Sequence, residues 1–173
     1  MKNLVIGQSG GPTAVINASL YGAVKAFRES GADGHVLGMI NGIEGFLADH
    51  VMDLSTDLSD KELELLKLTP AAYLGSCRYK LPADLDSEVY PAIFDNFREM
   101  NIGYFLYVGG NDSMDTVDKL SRYAEKIGSD VKFIGIPKTI DNDLVLTDHT
   151  PGFGSAAKYV ASTVREIVLD ASV

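Results

Sequence analysis

Short apolar runs alternate with amphipathic stretches along most of this chain. The first run, residues 2–7, carries Leu4, Val5 and Ile6 in succession, as a strand buried on both faces does, and ends in the glycine-rich turn "QSGGPT". Residues 14–30 then predict a helix stopped by Gly31. Residues 35–39 predict a short strand, and in "NGIEGFL" the glycines among β-forming residues predict strand or loop rather than helix. A short helix is expected over 59–66, because Ser59 and Glu62 stand at capping-box spacing. Val89, Ile93, Phe97 and Met100 recur at helical spacing and predict a helix over 87–100 that feeds a strand at 104–108. A helix over 112–127, a strand over 131–136 and a last helix over 154–170 complete the order. Strands alternating with helices predict an α/β fold whose parallel sheet is covered on both faces. Ligands of such a sheet belong at the carboxyl ends of its strands.

Composition narrows the field of partners. A chain of 173 residues, 46% hydrophobic, builds one full core. Its 15 basic and 24 acidic residues leave a formal charge of -9, which opposes nucleic acid and anionic membrane, and no local basic patch overrides it. Phosphate ligands stay open, since loops bind them through backbone N–H groups. The lone Cys77 forms no internal disulfide, no charged region followed by an apolar one precedes the first strand, and no apolar stretch reaches membrane-spanning length. A cytoplasmic protein is expected.

Three motifs fall at predicted strand ends: Ser9-Gly10-Gly11-Pro12-Thr13, Gly109-Gly110-Asn111-Asp112-Ser113, and Pro137-Lys138-Thr139-Ile140-Asp141-Asn142-Asp143. Paired glycines let backbone approach a bulky anion, and a following helix adds its positive end. Either pair alone serves equally as a tight strand-to-helix turn; two pairs at two strand ends favour a phosphate seat. Neither matches the dinucleotide or P-loop fingerprints. The third motif reads as a polar turn capped by Asp141 and Asn142, or as a site where Asp141 or Asp143 is a general base or metal ligand.

"SGGPTAVIN", "YLGSCRY", "GGNDS" and "PKTIDND", in this order and spacing, resemble the phosphofructokinase family over essentially the whole chain. The resemblance implies a Rossmann-like parallel sheet, Mg²⁺ as cofactor, and transfer of a phosphoryl group to fructose 6-phosphate in glycolysis. It implies that Gly11, Arg78, Gly110 and Ser113 hold the donor, that Asp141 is the base for the 1-hydroxyl, and that Thr139 helps to seat the sugar phosphate. Asp112 and Lys138 stand where pyrophosphate-using members resemble this chain and ATP-using members carry glycine and a small residue. An aspartate beside the ATP α-phosphate would oppose it by roughly 4 kcal/mol for unit charges about 4 Å apart at an effective dielectric of about 20. Pyrophosphate has no α-phosphate to clash, and Lys138 would neutralise the departing phosphate.

Two positions depart from the family pattern. Asn111 stands where an aspartate usually holds Mg²⁺, and its amide oxygen is a weaker ligand, so phosphate oxygens, water and Asp112 or Asp143 are the alternatives. Family members are also longer, and the chain ends at "DASV" before the "MGR" region and later sugar-phosphate ligands. The expectation is therefore that residues 1–173 are the phosphoryl-donor-binding, N-terminal part of a homo-oligomeric enzyme, inactive alone. An ATP-dependent phosphofructokinase and a non-catalytic binding paralogue are the competing readings.

Overall fold

The computed structural model describes residues 2–173. Its elements run β1 (Asn3–Gln8), α1 (Ala14–Glu29), β2 (Val36–Met39), α2 (Gly42–Phe46), β3 (Val51–Asp53), α3 (Asp60–Leu66), α4 (Val89–Glu99), β4 (Ile102–Gly109), α5 (Asn111–Ile127), β5 (Lys132–Pro137) and α6 (Phe153–Asp170). The five strands form one sheet in the order β3-β2-β1-β4-β5.

The central strands explain the unbroken apolar runs. Alternate side chains leave a strand on opposite faces, and both faces of β1 and β4 are covered. Val5, Phe105 and Tyr107 point into one core, shared with Phe46 and with Tyr90, Ile93, Phe94 and Phe97 of α4. Leu4, Ile6, Leu106 and Val108 point into the other, against Ile16, Leu20 and Val24 of α1 and Leu63 and Leu66 of α3. In the first core the rings of Phe94, Phe97, Phe105 and Phe133 lie 5.1–6.1 Å apart at tilted or edge-on angles. Each such pair adds about 0.5–1.5 kcal/mol beyond the area it buries. The capping box of α3 forms as expected: Glu62 N–H donates to the Ser59 hydroxyl, and Ser59 N–H donates to the Glu62 carboxylate.

Two expectations need correction. The sheet is not wholly parallel, because β3 pairs antiparallel to β2 through Leu37–Asp53, Gly38–Met52 and Met39–Val51. Three residues are too few to show a period. The stretch "NGIEGFL" holds a helix, α2, rather than strand or loop. Asn41 and Gly42 both adopt the left-handed conformation and swing the chain out of β2 into one helical turn. Gly45 is required there by close approach, since a Cβ would fall 1.7 Å from the Ile40 carbonyl oxygen. Its glycines serve a tight helical corner, a use that composition does not distinguish from a loop.

No helix among the described residues is long and apolar enough to cross a membrane. The last helix, α6, buries none of its residues, and Tyr159, Val160, Val164, Ile167 and Val168 stand exposed along it.

Candidate functional site

Three loops leave the carboxyl ends of β1, β4 and β5 side by side, and hydrogen bonds lock them together. Ser9 N–H donates to Val108 O (2.9 Å), Gly10 N–H to Cys77 O (3.1 Å) and Lys138 N–H to Gly109 O (2.9 Å). The Ser76 hydroxyl adds a bond to Gly10 O (2.5 Å). The adjacent glycines after β4 do different jobs. A Cβ on Gly109 would lie 1.9 Å from Ser113 Oγ and 3.1 Å from Ser9 O, so this glycine lets α5 close onto the sheet. A Cβ on Gly110 would meet nothing nearer than Lys138 O at 3.8 Å, and one on Gly11 would meet nothing within 4 Å. Both face open space where a ligand can reach backbone N–H groups. Gly110 also caps α5, which points the positive end of that helix at the same space.

In the third loop the turn-making and chemical roles separate. Asn142 takes the left-handed conformation, accepts from Thr150 N–H (2.9 Å) and donates to Asp148 O (3.1 Å). Asp141 uses only its backbone N–H, which donates to the Thr139 hydroxyl (3.0 Å), so Asn142 makes the turn and the exposed Asp141 carboxylate stays available. Thr139 keeps its own hydroxyl proton to donate.

The loops enclose two adjoining clefts of about 340 and 360 Å³ that share Gly11, Arg78, Gly110, Asn111 and Lys138. Thr139, Asp141 and Asp143 line the first, and Asp112 and Ser113 the second. All ten of these residues, each a candidate from the sequence, are thus brought together. Lys138 stands at their junction, 5% exposed. Burial holds its ammonium below the usual lysine range and the Arg78 guanidinium pushes the same way. Among the described residues no carboxylate pairs with it. A buried cation without a counter-ion is costly, and an anionic ligand in the cleft would supply one.

Asp112 sits at the rim, in the first turn of α5 rather than at its cap, with its carboxylate 3.1 Å from Lys80 Nζ. Asn111 Nδ2 lies 3.4 Å from Asp143 Oδ2. No group of three or more His, Cys, Asp or Glu gathers among the described residues. The Asn111–Asp143 pair fits a Mg²⁺ that brings phosphate oxygens and water with it, since this ion commonly takes one or two protein carboxylates and completes its shell from substrate.

Two residues at the site were given no role from the sequence. Thr13 precedes α1 and looks like an ordinary cap, but it makes no side-chain cap bond, and its buried Oγ1, on the wall of the first cleft, has no partner among the described residues. Lys80 lies in "YLGSCRYK", where only its charge distinguished it.

Fold and site together define an α/β domain with a polar cleft, lined by two open glycine turns and a buried lysine, at the carboxyl ends of its strands. The chain belongs to the phosphofructokinase family, whose model matches residues 3–173. It is 46% identical over 171 residues to a pyrophosphate–fructose 6-phosphate 1-phosphotransferase of Halomonas elongata, a match covering 97% of this chain and 40% of that protein. A sulfofructose kinase of Alkalicoccus urumqiensis is 39% identical over 167 residues, covering 96% and 42%. The crystal structure of a pyrophosphate-dependent phosphofructokinase from Nitrosospira multiformis superposes with a TM-score of 0.89 at 43% identity, covering 98% of this chain and 42% of that one. The chain thus spans about 40% of the length of the relatives it matches.

Proposed function

We propose that this chain is the phosphoryl-donor-binding part of a pyrophosphate-dependent 6-phosphofructokinase, which moves one phosphoryl group from pyrophosphate to the 1-hydroxyl of fructose 6-phosphate. The observation that carries the reading is Lys138: a buried ammonium with no counter-ion among the described residues, beside Arg78 and between two open glycine turns. Backbone N–H groups at Gly11 and Gly110 and the α5 terminus seat the donor. Asp141 accepts the proton of the acceptor hydroxyl, whose oxygen attacks the near phosphorus as the bridging P–O bond breaks. Orthophosphate leaves with the bridging oxygen, and Lys138 and Arg78 balance the charge that grows on it. Ser113 supports the donor loop from beneath Gly109, and Thr139 orients the acceptor. Asp143 and Asn111 would hold Mg²⁺, which would supply charge neutralisation at the phosphate oxygens. In this reading the transfer runs in both directions, with orthophosphate as the acceptor in the reverse one.

Asp112 supports pyrophosphate over ATP, since its carboxylate stands at the mouth of the donor cleft. The names of the relatives support the same donor. This reading carries a cytoplasmic, homo-oligomeric enzyme, with the exposed apolar face of α6 available to a partner surface.

Donor competition on the complete gene product tests the proposal. Initial rates with fructose 6-phosphate are compared for pyrophosphate and ATP at equal Mg²⁺, with sulfofructose as a second acceptor. Pyrophosphate with fructose 6-phosphate is expected to support turnover at least a hundredfold faster than ATP. Equal or faster turnover with ATP, or turnover confined to sulfofructose, overturns the corresponding half of the reading.

A further inference from the structure

Lys80 belongs to no motif that the proposed reaction uses, yet its position is fixed from both sides. On one side Cys77 O accepts from Gly10 N–H (3.1 Å) and the Ser9 hydroxyl (3.4 Å). On the other, Lys119 Nζ from the third turn of α5 donates to Leu81 O (3.0 Å). The segment between is therefore strapped along the start of α5. Lys80 Nζ meets Asp112 Oδ1 at 3.1 Å, with both side chains about two-thirds exposed, and Asp112 lines the cleft that holds Gly11, Arg78, Gly110 and Lys138.

Asp112 has little else to orient it. Among the described residues its carboxylate makes no ion pair or hydrogen bond other than the one to Lys80. That partner lies across the chain. An exposed ion pair of this kind contributes at most about 1 kcal/mol to stability, so its consequence is sought in the field over the cleft. Alone, the Asp112 carboxylate opposes every anion that enters. Paired, its charge is cancelled at a distance while its bulk and local negative face remain at the rim.

We infer that Lys80 is a specificity-determining positioning residue: it fixes the Asp112 carboxylate where a longer nucleotide donor would cross the rim and cancels that charge toward compact pyrophosphate. This rests on the functional reading above. Without Lys80 the free carboxylate repels a di- or trianionic donor through largely aqueous surroundings, which raises the KM for pyrophosphate by roughly tenfold. The chemical step, centred on Asp141 and Lys138, changes much less.

The experiment compares Lys80→Met, Lys80→Arg, Asp112→Asn and the double variant Lys80→Met/Asp112→Asn in the complete gene product. KM and kcat for pyrophosphate, turnover with ATP and the melting temperature are measured on each. Lys80→Met is expected to raise KM about tenfold with kcat within threefold of the parent and melting unmoved. Lys80→Arg should restore KM. The double variant should also return KM to near the parent value, because no unpaired carboxylate remains, and should match Asp112→Asn in its use of ATP. An unchanged KM in Lys80→Met, or a double variant as impaired as Lys80→Met, overturns the assignment. Failure of the unaltered enzyme to turn over pyrophosphate overturns the functional reading, and Lys80 with it; normal parental turnover with KM insensitive to Lys80 overturns this inference alone.

Discussion

Replacing Lys138 with methionine should make the protein more stable and far less active. The ammonium is 5% exposed, has Arg78 for its charged neighbour and lacks a carboxylate among the described residues. Methionine fills much the same volume, keeps the packing of the stem and removes the desolvated charge. Exchanges of buried charge for a well-packed apolar group are often neutral or stabilising, and about 1 kcal/mol is expected here. In a domain of this size that raises the melting temperature by about 2–4 °C. Activity moves the other way. Unit charges about 4 Å apart interact by roughly 4 kcal/mol at an effective dielectric of about 20, and the share that appears only as charge grows on the leaving phosphate sets the change in kcat. Loss of one preorganised donor at such a position lowers kcat by about 10²–10³-fold. Steady-state rates over a range of pyrophosphate concentrations and ligand-free thermal denaturation give both numbers on one preparation. Parallel loss of stability and activity would mark Lys138 as structural, and near-parental kcat/KM would remove it from the mechanism.

Asp141→Asn keeps the shape of the turn that Asn142 builds, so kcat should fall by about 10²–10⁴-fold while melting shifts by no more than about 1 kcal/mol's worth; a small rate effect would end its assignment as base. Gly109→Ala drives a Cβ into Ser113 and should destabilise by about 1–3 kcal/mol, seen in urea midpoints. Gly110→Ala has room and an ordinary φ of -86°, so it should keep stability yet weaken pyrophosphate binding by calorimetry. For Lys138 the folded pKa lies below its ordinary 10.5. Just below 10.5 the unfolded chain therefore binds more protons than the native one, and this lysine's contribution makes stability rise with pH. Pyrophosphate favours the protonated form, so its affinity should fall through the same window, and Lys138→Met should flatten both trends.

Where side chains impose a period or a cap, the fold was legible in the sequence. The capping spacing of Ser59 and Glu62 marked α3, the recurrence of Val89, Ile93 and Phe97 marked α4, and the unbroken Leu4-Val5-Ile6 marked a strand covered on both faces. What escaped depends on contacts across the chain. The corner at Asn41-Gly42 and the approach of Gly45 to Ile40 O turn a glycine-rich stretch into α2, and β3 exists through its pairing with β2. At the site, the three strand-end motifs and "YLGSCRY" held the residues that were assigned roles, and the loops bring those residues to one pair of clefts. Those motifs did not separate the packing role of Gly109 from the open position of Gly110, nor reveal that Lys138 is buried. Such properties arise only when three distant loops meet. Thr13 and Lys80 were hidden for the same reason, since an unmade cap and an ion pair to another loop leave no local pattern.

The most direct test of pyrophosphate as donor follows phosphorus through the reaction. A ³¹P NMR time course would be recorded on the complete gene product with pyrophosphate, fructose 6-phosphate and Mg²⁺. The expected result is loss of pyrophosphate matched one for one by a new sugar 1-phosphate signal and by orthophosphate. Persistence of pyrophosphate, or its conversion to two orthophosphates with no new sugar phosphate, would contradict it.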